Sequence, residues 1–169
     1  MPDLLKAGHS VIVIDNFMYG QVSLLDCCHS DNLEIINGDV RNHELVQSKL
    51  PNVDLIIPLA CLVGAPLCDK KPLEAQSINY DAIKSLLLSR SSDQRIIFPT
   101  TNSGYGIGEK GKYCTEETPL NPVSFYGKLK VELEKDLLAE NNTITLRLAT
   151  VFGISPRMRL DLLVNDFVY

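Results

Sequence analysis

Tyr126 and Lys130 stand four residues apart in Ser124-Phe125-Tyr126-Gly127-Lys128-Leu129-Lys130, inside a stretch of helical composition from Pro122 to Leu138. Residues at that spacing share one face of a helix. An ammonium beside a phenol stabilises the phenolate and lowers its pKa from roughly 10. That equips Tyr126 as a general base toward a hydroxyl group. The same spacing also suits a lysine lying over an aromatic ring on a surface helix, and a chain with six tyrosines offers such pairs by accident. Other segments have to separate the two readings.

The elements that would position this pair alternate along the chain. Pro2 to His9 reads as the end of a helix closed by Gly8. Ser10 to Asp15 is a continuous apolar run ending in an acid, the pattern of a strand buried on both faces. Further strands are predicted at Leu33–Asn37, Val53–Ile57, Arg95–Pro99 and Thr143–Leu148, and helices at Glu44–Leu50 and Leu73–Ser89. Strands separated by helices predict right-handed crossovers and a parallel α/β sheet. Loops rich in glycine or proline follow the strands at Gly64-Ala65-Pro66, Thr101–Gly108 and Gly153–Pro156. Ligands of such sheets bind beyond the carboxyl ends of the strands. There Asp15 either accepts hydrogen bonds from a ribose diol or forms a turn with Asn16. Asp39, in Gly38-Asp39-Val40-Arg41, either reaches an adenine amino group or caps the following helix.

Composition narrows the classes. At 169 residues with 45% apolar and 22% charged side chains, the chain has the make-up of one soluble globular domain. A net charge of −5 gives no basic footprint for nucleic acid. No apolar run reaches membrane-spanning length and no leader pattern opens the sequence, so a cytoplasmic protein with no membrane partner is expected. Five cysteines without a Cys-x-x-Cys pair point to reduced thiols. The adjacent Cys27 and Cys28 before His29 do not match zinc spacings, and no metal is expected. Asn141-Asn142-Thr143 reads as a turn.

Taken in order, Leu4 to His9, Val11 to Asn16, Gly38 to Arg41, Leu59-Ala60-Cys61, Asn79, Thr100 to Gly106, and Tyr126 with Lys130 form an ordered set. It resembles the extended short-chain dehydrogenase/reductases, in the branch of NAD-dependent nucleotide-sugar epimerases and dehydratases. The resemblance implies a Rossmann-type doubly wound parallel sheet and NAD as cofactor. Asp15 and Asn16 then bind the adenosine ribose, Asp39 and Val40 the adenine, Leu59 and Ala60 line the dinucleotide, and Asn79 supports the nicotinamide side. Lys130 holds the nicotinamide ribose as well as tuning Tyr126. Thr101 takes the hydroxyl position of the triad, with Ser103 the second choice. The implied reaction is epimerisation of a nucleotide sugar, at C4, through a keto intermediate. Thr150, Arg157, Arg159 and Asn165 fall where the family meets the substrate, the two arginines suiting phosphate. A homodimer is a family expectation.

The same comparison marks departures. Dehydratases of this branch carry Asp-Glu after the threonine, and the decarboxylases keep the glutamate, whereas this chain has Asn102-Ser103. Epimerisation, or simple oxidation and reduction, is therefore favoured over lyase chemistry; an inactive binding module is the alternative outside enzymes. No G-x-x-G-x-x-G pattern occurs. The expected chain is accordingly a Rossmann domain over 1–153 lacking its first strand and glycine loop, with weakened NAD binding. Residues 154–169 begin a substrate-binding region whose larger part lies elsewhere. Loss of a central first strand is expected to leave a gap beside the Val11 strand and unpaired apolar edges.

Overall fold

The computed structural model describes residues 1–20, 22–108, 111–156 and 158–168. Its strands are all parallel, and they form two separate sheets among the described residues. By contacts the chain divides into two compact units: Met1–Val40 with Thr150–Tyr169, and Arg41–Ala149.

The first unit holds helix α1 (Pro2–Lys6), strands β1 (Val11–Asp15) and β2 (Leu33–Asn37), and helix α7 (Leu163–Val168). Strands β1 and β2 pair in parallel from Val11 opposite Leu33 to Asp15 opposite Asn37. The expectation of a strand buried on both faces is not met, because β1 is only half-buried and ends exposed at Asp15. The reason is physical: β2 is its one ladder partner among the described residues, and α1 buries no side chain.

The second unit contains α2 (His43–Lys49), β3 (Leu55–Ile56), α3 (Ala65–Lys70), α4 (Pro72–Gln76), α5 (Ala82–Ser89), β4 (Arg95–Thr101), α6 (Phe125–Leu138) and β5 (Thr143–Leu148). Its sheet runs β3-β4-β5. Pairing of β3 with β4 stops at Ile96, while β5 follows β4 as far as Thr101. Pro99 sits in that later part, where its missing N–H costs no bond to β3. The core is built on Ile96 and Phe98 of β4, with Ile83 and Leu87 of α5 and Leu133 and Leu137 of α6 closing over them. The i, i+4 spacing of those helix pairs puts each on one stripe.

Two predicted elements are corrected. Gly64-Ala65-Pro66 is not a plain loop; it opens α3, where proline in the first turn removes an N–H that has no helical partner. The predicted helix Leu73–Ser89 is broken in its middle by a π-turn at Ser77–Asp81. That turn carries Asn79, whose side chain is fully buried, while Leu73 is left exposed. A π-turn inserted in a helix re-aims one side chain, and here the re-aimed group is polar.

Candidate active site

Helix α6 positions Tyr126 and Lys130. Its start is set by Ser124, whose side chain accepts the Gly127 N–H at 3.0 Å. From there Leu129, Lys130, Leu133, Glu134 and Leu137 form the buried face. Lys130 is on this face, only 4% exposed, and its ammonium is therefore taken out of water. It donates to the Pro99 carbonyl at 3.3 Å and lies 4.3 Å from the centre of the Phe98 ring. Both partners are neutral, and Lys130 forms no ion pair among the described residues. Burial pulls its pKa below the ordinary lysine value, with the Cys61 contact acting the other way.

Cys61 feels the charge of Lys130, and its half-buried thiol donates to the Leu62 carbonyl at 3.4 Å. Burial pushes the Cys61 pKa up against the opposing pull of Lys130.

The 3₁₀ turn Asn102–Tyr105 packs against the start of α6. Thr101, nearly buried, accepts the Ser103 N–H at 3.2 Å and donates to the Ser103 hydroxyl at 3.1 Å. The two candidate hydroxyls for the triad are thus one linked pair, and Ser103 is the exposed member. The approach is close enough that a Cβ on Gly127 would lie 3.3 Å from the Ser103 carbonyl oxygen. At Gly106, with φ of 70°, a Cβ would come within 2.0 Å of the Asn121 carbonyl oxygen, so only glycine fits.

The turn is braced from below. Arg147 of β5 binds Glu134 through Nε and the terminal nitrogen, both at 2.7 Å. It also donates to the Tyr105 hydroxyl at 3.2 Å and the Glu116 carbonyl at 3.0 Å, with its guanidinium over the Tyr105 ring. Glu134 is 2% exposed. The Arg147 pKa is raised, chiefly by the bond to Glu134. Sequence reasoning assigned no role to this brace. Its one signal was Glu134 standing four residues after Lys130 on the same helix face.

Asn79 accepts the Leu62 N–H at 2.8 Å and donates to the Leu62 carbonyl at 2.9 Å. It thereby holds the segment after β3 that carries Leu59, Ala60 and Cys61. Leu59 is 70% exposed and Ala60 is exposed beside it.

The remaining candidates lie in the first unit. Asp15 and Asn16 each accept a backbone N–H two residues on, at 2.8 and 3.1 Å, from Phe17 and Met18. The turn alternative for Asp15 is thus observed, made by one carboxylate oxygen at the exposed strand end. Asp39 does not cap the next helix, since Asn42 does so by accepting the Leu45 N–H at 3.1 Å. Asp39 and Val40 are half-buried and Thr150 is exposed. Asn165 is buried, its amide engaged by the Gly153 N–H and the Arg159 carbonyl at 3.0 and 2.9 Å. It is a brace of its loop, not a free hydrogen-bonding group. Arg159 is paired with Asp161, and Arg157 lies outside the described residues.

The sequence profile of the NAD dependent epimerase/dehydratase family matches residues 1–167. The chain belongs to this family. Among curated relatives, it is 30% identical over 137 residues to UDP-glucose 4-epimerase of Lactobacillus helveticus, covering 79% of this chain and 40% of that protein. It is 26% identical over 176 residues to UDP-glucuronic acid decarboxylase 1 of Xenopus tropicalis, covering 98% and 41%. In fold it resembles the solved dTDP-glucose 4,6-dehydratase of Bacillus anthracis in complex with NAD, with a TM-score of 0.81 at 21% identity over 99% of this chain and 55% of that one. The epimerase/dehydratase chain described here thus spans about 40% of the length of these curated relatives.

The family cofactor is NAD, and each unit, taken by itself, holds groups of a chemistry that part of such a molecule would take. The carboxylate of Asp15 suits a ribose diol, and an open apolar depression lined by Phe17, Val22, Leu24 and Ile35 lies in the same unit. In the second unit, the exposed apolar Leu59 and the ammonium of Lys130 suit the nicotinamide half. As for membranes, no helix among the described residues is long and apolar enough to cross one.

Proposed function

We propose that the protein epimerises a nucleotide sugar at C4, with Tyr126 as the base. The observation that carries this reading is the burial of the Lys130 ammonium, held by the Pro99 carbonyl and over the Phe98 ring, one turn of α6 after Tyr126. An ammonium buried among neutral partners keeps its full field, and that field favours the phenolate over the phenol. Tyr126 then accepts the proton of the sugar hydroxyl, and returns it when the hydroxyl is re-formed on the opposite face. Thr101 and Ser103 hold the reacting oxygen in line, a positioning role that their mutual hydrogen bond prepares.

NAD supplies hydride uptake and return at the sugar carbon, with no net consumption. Asp15, Asn16, Asp39 and Val40 are the adenosine side of its site, and Leu59, Ala60 and Lys130 the nicotinamide side. Asn79 acts through the backbone it holds. Residues 1–153 form the NAD-binding domain in this reading. Residues 154–169 begin the substrate region, with Thr150, Arg157 and Arg159 toward the sugar nucleotide. Two copies pair through the long helices.

Asn102-Ser103 supports epimerisation over elimination, because no carboxylate follows Thr101 to serve as a further acid. The test is incubation with UDP-glucose and NAD, followed by NMR of the sugar. The reading expects UDP-galactose and no accumulated NADH. Net NADH would make the protein a dehydrogenase, and a dehydrated or decarboxylated sugar would make it a lyase.

A further inference from the structure

Lys130 and Phe98 meet where α6 packs on β4. The ammonium sits over the face of the Phe98 ring, 4.3 Å from its centre, and donates to the carbonyl of the next residue, Pro99, at 3.3 Å. That carbonyl lies beyond the end of the β3 ladder, which stops at Ile96. The ring itself cannot turn away. Phe98 is fully buried and wedged among Ile96 of its own strand, Ile83 and Leu87 of α5, and Leu133 and Leu137 of α6. Lys130 shares the buried face of α6 with those two leucines, so one stripe of the helix brings two apolar side chains and one cation to the same ring.

We propose that Phe98 is a positioning residue for the Tyr126–Lys130 pair: the negative face of its ring binds the buried ammonium and holds it, fully charged, one helical turn from Tyr126. The inference rests on the reading of Tyr126 as base.

The chemistry turns on how a cation is kept in a site closed to water. An ammonium has three N–H donors, of which the Pro99 carbonyl takes one. A carboxylate beside it would cancel most of its field at Tyr126. The face of an aromatic ring attracts the charge through its quadrupole, more strongly when the cation is desolvated, and brings no opposite charge of its own. A leucine at this position would fill the core but present no negative face. The nearest acid on the same helix face, Glu134, is taken by Arg147 at 2.7 Å. The titratable groups acting on Lys130 from the other elements are Cys61, after β3, and Cys68 of α3, both kept protonated by burial; β4 presents the neutral Phe98 and Pro99.

The test is an NMR titration of Lys130 in the whole chain with lysine labelled at Cε, the resonance being assigned by its loss in Lys130→Arg. Phe98 is replaced site-specifically by mono-, di- and trifluorinated phenylalanine, which keep nearly the same shape and weaken the negative face of the ring in steps. The Lys130 midpoint should fall with each step, by about one pH unit across the series, a tenfold loss of ammonium at a given pH. Phe98→Leu should lower it at least as far, and if that variant does not fold, the fluorinated series decides. Ring-labelled tyrosine in the same proteins should show Tyr126, assigned by its loss in Tyr126→Phe, titrating below roughly 10 in the parent and rising along the series. A Lys130 midpoint that stays put across the series overturns the role of Phe98, and a parent Tyr126 midpoint below 10 then leaves Tyr126 as base. An ordinary Tyr126 midpoint in the parent overturns the base reading, and the positioning role with it.

Discussion

Asn79 grips both backbone groups of Leu62, accepting its N–H at 2.8 Å and donating to its carbonyl at 2.9 Å. A side-chain amide thus stands in for a neighbouring strand just where β3, two residues long, has ended. The π-turn at Ser77–Asp81 is the device that delivers it. Without that grip, the Leu62 carbonyl keeps the Cys68 thiol at 3.2 Å but the Leu62 N–H loses its side-chain acceptor.

Replacing Asn79 by alanine leaves the Leu62 N–H unpaired in the core and opens a small void. A buried polar group without its partner costs about 1–3 kcal/mol, and the void adds to it. Asn79→Ala should lower unfolding stability by about 2–4 kcal/mol in urea titration. A loss under about 1 kcal/mol would mean that the loop finds its bonds elsewhere.

The Glu134–Arg147 pair calls for a double-mutant cycle. Glu134 is almost fully buried, so removing it strands a guanidinium against the Tyr105 turn. Breaking one half of such a pair costs about 3–5 kcal/mol, whereas replacing both halves with apolar groups is far milder. Glu134→Leu alone should therefore be more damaging than Glu134→Leu combined with Arg147→Met. Losses that simply add would show that the two side chains act independently.

Tyr80 gives a pH signature. Its hydroxyl donates to Asp136 at 2.8 Å, and the carboxylate, further held by Lys84 at 2.9 Å, pushes the phenol up to about 12. The ordinary unfolded value is roughly 10. A group with a raised folded pKa adds stability that is complete below the unfolded pKa and vanishes as pH climbs through the folded one. Stability should then fall between about pH 10 and about pH 12 more steeply in the parent than in Tyr80→Phe. The difference should be about 1 kcal/mol or less, given the solvent around the pair. Asp136 works in the opposite direction: its pKa is lowered, first by Lys84 and then by Tyr80, so its contribution is lost on acidification. Identical alkaline limbs for the two proteins would contradict the assignment.

Much of this was legible in the residues. Parallel strands alternating with helices follow from apolar runs separated by periodic segments, and the Tyr126 face of α6 follows from i, i+4 spacing. What stayed hidden depends on tertiary contact. A π-turn has no composition of its own, so Leu73 to Ser89 reads as one regular helix. Burial of β1 was overestimated because an apolar run says what a strand would bury, not whether a partner is there. The Glu134–Arg147 brace was invisible for the same reason: its partners Tyr105 and Glu116 are distant in sequence and meet it only in the folded chain.

The most direct test of the central claim is reduction of NAD in the presence of UDP-glucose, followed by the near-ultraviolet absorbance of reduced nicotinamide at high NAD concentration. The account predicts a transient signal that decays as the sugar is re-reduced, and a rate about 10²–10⁴-fold lower in Tyr126→Phe. A parent that never reduces NAD, or a Tyr126→Phe variant that reduces it at the parent rate, would contradict Tyr126 as the base of this site.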